Sequence, residues 1–309
     1  MDVDFVKHLK LNQLRLVAAV AEHGQLGRAA AALSITQPAA SRMLADIEHR
    51  VGAPICTRHA KGMVLTEVGM AIARRAHNSL SELNALSREV EYLKQGGMGT
   101  IRIGAVTGAA VGYVIPAVNA LKREVAETEI DIDVDTSAVL VETLMAGQAD
   151  FVLARVPRNH DFSEFDIYPG RTETVRLVVR ADHPLLVHDR VSLRDLAPYD
   201  WVMQSHRAPI REAVEAAILE VGAELPRSVV NTTSLLAIMG LLVSSDAIAP
   251  MASEVSDLLT SRPVNARLVA LPIETEIVMT PYYLLQMKGR QLPPLADRLR
   301  TLILEELKR

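Results

Sequence analysis

Apolar positions in the first third of the chain recur every three or four residues, which predicts helices. Leu11, Leu14, Val17, Ala18 and Ala21 outline a first helix over about 11–22, with Gly24 as its left-handed stop. Gln25 to Leu33 reads as a short second helix, whose Ala29, Ala30, Ala32 and Leu33 suit close packing. After the turn Ser34-Ile35-Thr36, a third helix is expected over 36–51. Thr36 suits its N-cap, Pro38 its first turn and Gly52 its end. Ala39, Met43, Ile47 and Val51 form its expected buried stripe, with Gln37, Ser41, Arg42 and Arg50 on the opposite face. Residues 53–66 read as a β-hairpin, with Arg58 and Lys61 near a Lys61-Gly62 turn.

From Glu67 to Gln95 there is no proline, and no glycine after Gly69. Ile72, Ala76, Leu80, Leu83, Leu86, Val90 and Leu93 hold a three/four spacing along a helix of roughly 40 Å. So long a stripe has too few neighbours within one small domain. Pairing with a second copy would bury it, which makes Ile72, Leu80, Leu83, Leu86, Val90 and Leu93 candidate dimerisation residues. A helical hairpin within one chain is the alternative, but no complementary apolar helix flanks this one.

Beyond Gly96-Gly97-Met98-Gly99, a natural hinge, strand-like runs alternate with helical patterns. Ile101–Val106, Ile130–Val134 and Asp150–Ala154 predict strands. One helix opens at Thr107 and runs toward Ile115-Pro116; a second follows Thr136-Ser137, carries Leu140, Leu144 and Met145, and ends at Gly147. This order predicts a parallel, twisted sheet with a ligand past the strand ends, beside helix N-termini. Thr107, Gly108 and Ser137 sit there, either as ligand donors or as plain N-caps. A second α/β unit follows, with strands at 175–180, 200–203 and 228–231 and apolar runs near 266–271 and 282–287. A last helix over 293–308 is expected to turn Leu295, Leu299, Leu302 and Ile303 inward onto the first lobe.

A length of 309 residues makes two domains the default, and 49% hydrophobic with 23% charged residues indicates a packed chain. The net charge of −4 argues against a protein that coats nucleic acid over its whole surface, and leaves room for a local basic patch. That charge is uneven. Residues 1–95 hold 12 Lys/Arg and 9 Asp/Glu, or +3, whereas residues 96–309 hold 21 and 28, or −7. A polyanionic partner therefore belongs to the front.

Cys56, the lone cysteine, rules out a disulfide framework and reads as a small buried hydrophobe. Acids at the start, and no apolar run approaching about 18 residues, predict a reducing, cytosolic location and no membrane partner. Gly104, Gly108 and Gly112 recur every four residues without completing a nucleotide loop. His183 and His188 lack the helical spacing of a zinc site, and no nucleophile elbow is present. No cofactor, metal or enzymatic activity is expected.

Two short helices followed by a third with a polar leading end fit either an ordinary alanine-rich bundle or a helix-turn-helix DNA reader. In the second reading Gln37, Ser41 and Arg42 reach base edges or phosphates, and the hairpin is a wing against the backbone. The run Gly27-Arg28-Ala29-Ala30-Ala31-Ala32-Leu33-Ser34-Ile35-Thr36-Gln37-Pro38-Ala39-Ala40-Ser41-Arg42 carries a more specific signal. Together with Ile47-Glu48, Gly52, Arg58 and Leu65-Thr66-Glu67-Val68-Gly69, it closely resembles the LysR-type transcriptional regulators. Leu26-Gly27 departs from the aromatic and Ser/Thr frequent there, and Cys56 from the usual Phe.

The resemblance covers the whole chain. It implies an all-α winged helix-turn-helix over 1–66, a linker and dimerisation helix over 67–95 and a hinge at 96–99. A two-lobed α/β effector domain resembling periplasmic binding proteins would occupy 100–309. Its lobe I would span about 100–165 and 272–309, and its lobe II about 166–271. Arg28, Thr36, Gln37, Pro38, Ser41 and Arg42, with Arg58 and Lys61 in the wing, are the candidate DNA-contacting residues. Thr107, Gly108, Thr136, Ser137, Arg155, Ser205, His206 and Thr233 are the candidate effector residues, Arg155 being placed to pair with an anion.

The implied partners are double-stranded operator DNA, a second copy or a dimer of dimers, RNA polymerase and a small effector. The effector domain is most similar to the subgroup of regulators of sugar-binding-protein genes, galactose-binding proteins included, and of aromatic-acid breakdown. A sugar or a small carboxylate is the effector this implies. The rival reading is a solute-binding protein whose front helices only dimerise.

Overall fold

In the computed structural model, residues 9–59, 62–94, 100–157, 162–206, 208–262 and 264–309 are described, without the side chains of 58, 78, 81, 85, 88, 89 and 91–93. Two compact units emerge: Met1–Gly99 with Glu142–Ala149, and Thr100–Val141 with Asp150–Arg309. The first unit contains α1 (Leu11–His23), α2 (Leu26–Ala32), α3 (Gln37–Val51), a hairpin of β1 (Cys56–His59) and β2 (Gly62–Leu65), and α4 (Glu67–Lys94). Gly24 and Gly52 close α1 and α3 at φ 61° and 72°, where an L side chain is strained. Thr36 caps α3 by accepting the Ala39 N–H at 3.4 Å.

The core of this unit gathers Leu16, Val17 and Val20 of α1, Ala29 and Ala30 of α2, and Ile55 before the hairpin. From α3 it takes Ala40, Leu44 and Ile47, not the expected stripe of Ala39, Met43, Ile47 and Val51. The inward face is turned by about one residue from the expected one. Met43 and Val51 flank the same core, partly buried. Gln13, buried on α1, donates to Asp46 at 2.7 Å, and Arg50 donates to the same carboxylate at 2.9 Å. Arg50 is thus engaged within α3.

The second unit opens with β3 (Ile101–Ala105) and a continuous helix α5, made of Thr107–Ala109, the π-wound Ala110–Val114 and Ile115–Glu124. The helix does not stop near Pro116 as expected. A π turn just before a proline, which has no N–H to offer the preceding turn, lets it continue. There follow β4 (Ile130–Val134), α6 (Ser137–Met145), β5 (Phe151–Ala154) and β6 (Phe165–Arg171). Near the C-terminus, β13 (Tyr282–Met287) returns to this sheet, and α10 (Pro294–Lys308) packs along α5, with Arg298 on Glu124 at 2.9 Å. The buried face of α10 is Ala296, Leu299, Leu302, Ile303 and Leu307, while Leu295 is half-buried rather than inward.

The strand order is β4-β3-β5-β13-β6, and the sheet is mixed rather than parallel. β3 pairs in parallel with β4 and β5, whereas β13, returning from the other lobe, runs antiparallel to both β5 and β6. The second lobe is built on β7 (Thr174–Arg180), which pairs antiparallel with β10 (Ala249–Ala252), β11 (Leu268–Ala270) and β12 (Ile277–Val278). A parallel pair, β8 (Trp201–Met203) and β9 (Val229–Asn231), adjoins it, with α7 (Pro209–Glu220), α8 (Leu235–Ser244) and α9 (Ser253–Thr260) packed around. Because β6 belongs to the first sheet and β12 to the second, the lobes meet at 172–173 and 279–281. Those boundaries lie several residues beyond the expected 165/166 and 271/272.

Candidate functional site

The leading end of α3 is a polar, solvent-facing surface on a rigid support. Gln37, Pro38 and Arg42 are exposed, Ser41 is half-buried, and Arg28 on α2 and the cap residue Thr36 are exposed beside them. Among the described residues, neither Arg28 nor Arg42 has an ionic partner, so both guanidinium groups stay available to an anion. The wing is held by the third helix: Glu48 accepts the backbone N–H groups of Ile55 at 2.9 Å and Cys56 at 3.4 Å. The Met63 N–H donates to the Gly24 carbonyl at 2.8 Å, tying the second wing strand to the end of α1. Arg58 lies in β1 but its side chain is outside the described residues, as is all of Lys61.

Along α4 the apolar line divides into two halves. Ala73 and Ala76 are buried, and Ile72 packs partly buried against the core of the unit, so its first half already has a partner within the chain. Leu80 is half-buried, whereas Leu83, Leu86 and Val90 are 43%, 54% and 41% exposed. The Leu93 side chain is outside the described residues.

In the second unit a cleft of about 320 Å³ lies between the two lobes. Thr107, Gly108, Thr136, Ser137, Arg155 and Thr233 line it, all at the ends of strands or the openings of helices. Ser205 and His206 do not. Both are exposed, and Gln204 is the residue of that turn that faces the cleft. Its carbonyl accepts from the buried Arg211 at 3.2 Å, which also bonds Asn231 and Glu215.

Arg155 differs most from expectation. Its guanidinium forms an ion pair with Glu173, and its Nε donates to the Thr280 carbonyl at 2.8 Å, while its own N–H donates to Ser137 Oγ at 3.0 Å. It thereby grips both crossing segments instead of reaching for a free anion. Burial pushes the Glu173 carboxyl above its ordinary range, against the pull of Arg155. Glu173, Asp135 and Met279 line the cleft without having been singled out from sequence. Asp135 adjoins Thr136-Ser137 at a predicted strand end and was within reach of that argument. Glu173 was not, because nothing in the apolar pattern marks the crossing. Among the described residues, no group of three His, Cys, Asp or Glu is placed to hold a metal ion, and no helix is long and apolar enough to cross a membrane.

Comparison with known proteins gives two family matches. Residues 11–70 match the bacterial regulatory helix-turn-helix protein, lysR family, and residues 94–308 match the LysR substrate binding domain. The chain is similar to the HTH-type transcriptional regulator GbpR of Rhizobium radiobacter, with 41% identity over 249 residues, 80% of this chain and 82% of that one. Its fold is similar to full-length OxyR from Pseudomonas aeruginosa, with a TM-score of 0.58 at 19% identity, covering 97% of this chain and 95% of that one. Full-length CbnR in complex with its target DNA has a TM-score of 0.52 at 19% identity, covering 97% of this chain and all of that one.

Proposed function

Because the chain belongs to the LysR family of transcriptional regulators, we propose that it binds operator DNA through α3 and the wing and that a small effector in the cleft modulates that binding. The observation that carries the DNA reading is the leading end of α3, where Gln37 and Arg42 are exposed on a capped, core-anchored helix with the half-buried Ser41 between them. An arginine there can grip guanine in a bidentate fork and a glutamine can grip adenine, each good pair being worth about 1–3 kcal/mol of discrimination. Arg58 and Lys61 supply backbone contacts in this reading.

Leu83, Leu86 and Val90 join two copies, placing two heads on a two-fold site. An effector shifts operator affinity only by the difference in its affinity for the two arrangements of the protein. RNA polymerase is the downstream partner on the family resemblance. For the effector itself the cleft supports a small polar molecule, with a sugar or a small carboxylate as the two classes in view.

Selection from randomised duplexes should recover a two-fold site, and Arg42→Ala should weaken its binding by about 1–3 kcal/mol and relax preference at one position in each half. Unchanged affinity removes Arg42 from the interface. No duplex bound by the unaltered chain returns the front helices to a purely dimerising role.

A further inference from the structure

Glu173 stands in one of the two segments that carry the chain between lobes, and its carboxylate meets three features at once. It pairs with Arg155, it borders the first turn of α5 at Gly108, and it faces the cleft. The side chain is 3% exposed and that of Arg155 12%. A β-carbon at position 108 would fall on the Glu173 carboxylate, so the glycine leaves room for it. An effector carboxylate would seek the same partners, a guanidinium fork and a helix start with no side-chain cap. The chain already supplies that anion itself. The described lining residues include one cation, Arg155, and two carboxylates, Glu173 and Asp135, while Thr107, Thr136, Ser137, Thr233 and Gln204 offer hydroxyl and amide groups.

We propose that Glu173 is a specificity-determining residue of the cleft: as the resident anion of Arg155 and of the α5 start, it admits neutral, polyhydroxylated molecules and turns carboxylates away. The inference rests on the effector reading of this cleft. Hydroxyl groups of a neutral ligand donate to carboxylate oxygens, whereas a second carboxylate meets like charge where burial weakens screening. Glu173→Gln keeps the shape and removes the charge, which leaves Arg155 free for an incoming anion.

The test uses the full chain with acetate, benzoate, and glucose paired with glucuronate, read by thermal midpoint and by operator shift. Glu173→Gln should bind the carboxylates about tenfold more tightly than the unaltered chain. The gain should vanish in the double variant Glu173→Gln with Arg155→Met. No gain, or the same gain in the double variant, overturns the proposal. Should Glu173→Gln not fold, sulfate binding to the unaltered chain decides it. Among the described residues, Glu254 of α9 and Tyr282 of β13 lie close enough to interact electrostatically with Glu173 besides Arg155. Affinity for sulfate should rise as pH is lowered and Glu173, its carboxyl raised by burial, takes a proton, and should not rise in Arg155→Met. A flat profile in the unaltered chain, or an equal rise in Arg155→Met, overturns the proposal. If Glu173→Gln gains carboxylate binding while operator affinity stays constant, the role of Glu173 stands and the regulatory reading of the cleft fails.

Discussion

Single residues of the head owe their chemistry to what α3 places beside them. Glu48 collects two backbone N–H groups at the start of the wing, and Cys56 follows directly, half-buried. Burial first, and the Glu48 charge second, push its thiol from 9.0 to about 11. The thiolate is the reactive form, so a shift of that size leaves roughly a hundredth of the ordinary thiolate near neutral pH. Iodoacetamide near pH 8 should therefore label Cys56 at least about tenfold more slowly in the native chain than in the unfolded one. Equal rates would refute the burial argument.

Asp46 shows the opposite shift. Its hydrogen bond from Arg50, helped by Gln13, holds its carboxyl below the ordinary range. A depressed carboxyl contributes stability above its unfolded-state pKa and loses it as pH falls through the folded value. Asp46→Asn should accordingly flatten the loss of head stability below about pH 4, measured by melting across that limb.

At the scale of elements, α4 does two jobs along its length. The first half joins the head core through Ala73, with Ile72 packed against it and Ala76 buried one turn on, which explains why a long apolar stripe does not leave the whole helix in need of a partner. The second half leaves Leu83, Leu86 and Val90 about half exposed, and it is there that the proposed pairing of two copies would bury apolar surface. Fully burying each such side chain is worth about 1.5–3 kcal/mol, and a two-fold pairing counts every position twice. Leu83→Asp and Val90→Asp should each yield monomers in sedimentation with the head still folded; persistent dimers would place the interface elsewhere. By the same logic Ile72→Asp should unfold the head rather than merely separate copies.

Across the effector unit, the glycines at 108 and 112 acquire a meaning that no nucleotide loop supplied. They stand one turn apart on α5, and a β-carbon at 112 would come within 2.7 Å of the Glu254 side chain of α9. The π-wound turn that contains Gly112 also carries Tyr113, whose hydroxyl reaches Glu254 at 3.4 Å. The two glycines thus let a first-lobe helix lie against the second lobe behind the cleft. Gly112→Leu overpacks this contact at a cost of about 1–3 kcal/mol. The midpoint of the effector unit should fall by roughly 2–12 °C, read by calorimetry of the full chain. An unchanged midpoint would mean that the lobes separate freely there.

Local signals were enough for the element boundaries of the head. Helix starts and stops, the proline in the first turn of α3 and the polar residues that follow it are each set by neighbours within one or two turns, so Thr36, Gln37, Ser41 and Arg42 were legible as a group. The strand ends at Thr107 and Thr136-Ser137 were legible for the same reason. Which of Ala39 or Ala40 faces inward, and whether Arg155 is free or paired, depended on contacts between elements far apart in the chain.

The mixed sheet was hidden likewise. A returning strand such as Tyr282–Met287 has the same apolar run whether it lies parallel or antiparallel; in the second lobe, β10 is buried throughout and β12 is only two residues long, so neither shows an alternation to read. Periodicity reports a residue's own element, whereas the partner of a buried charge is chosen by where the chain crosses back. That is why the amino-acid order determined the reading head and the outline of the effector unit, and tertiary packing alone decided that Glu173 meets Arg155.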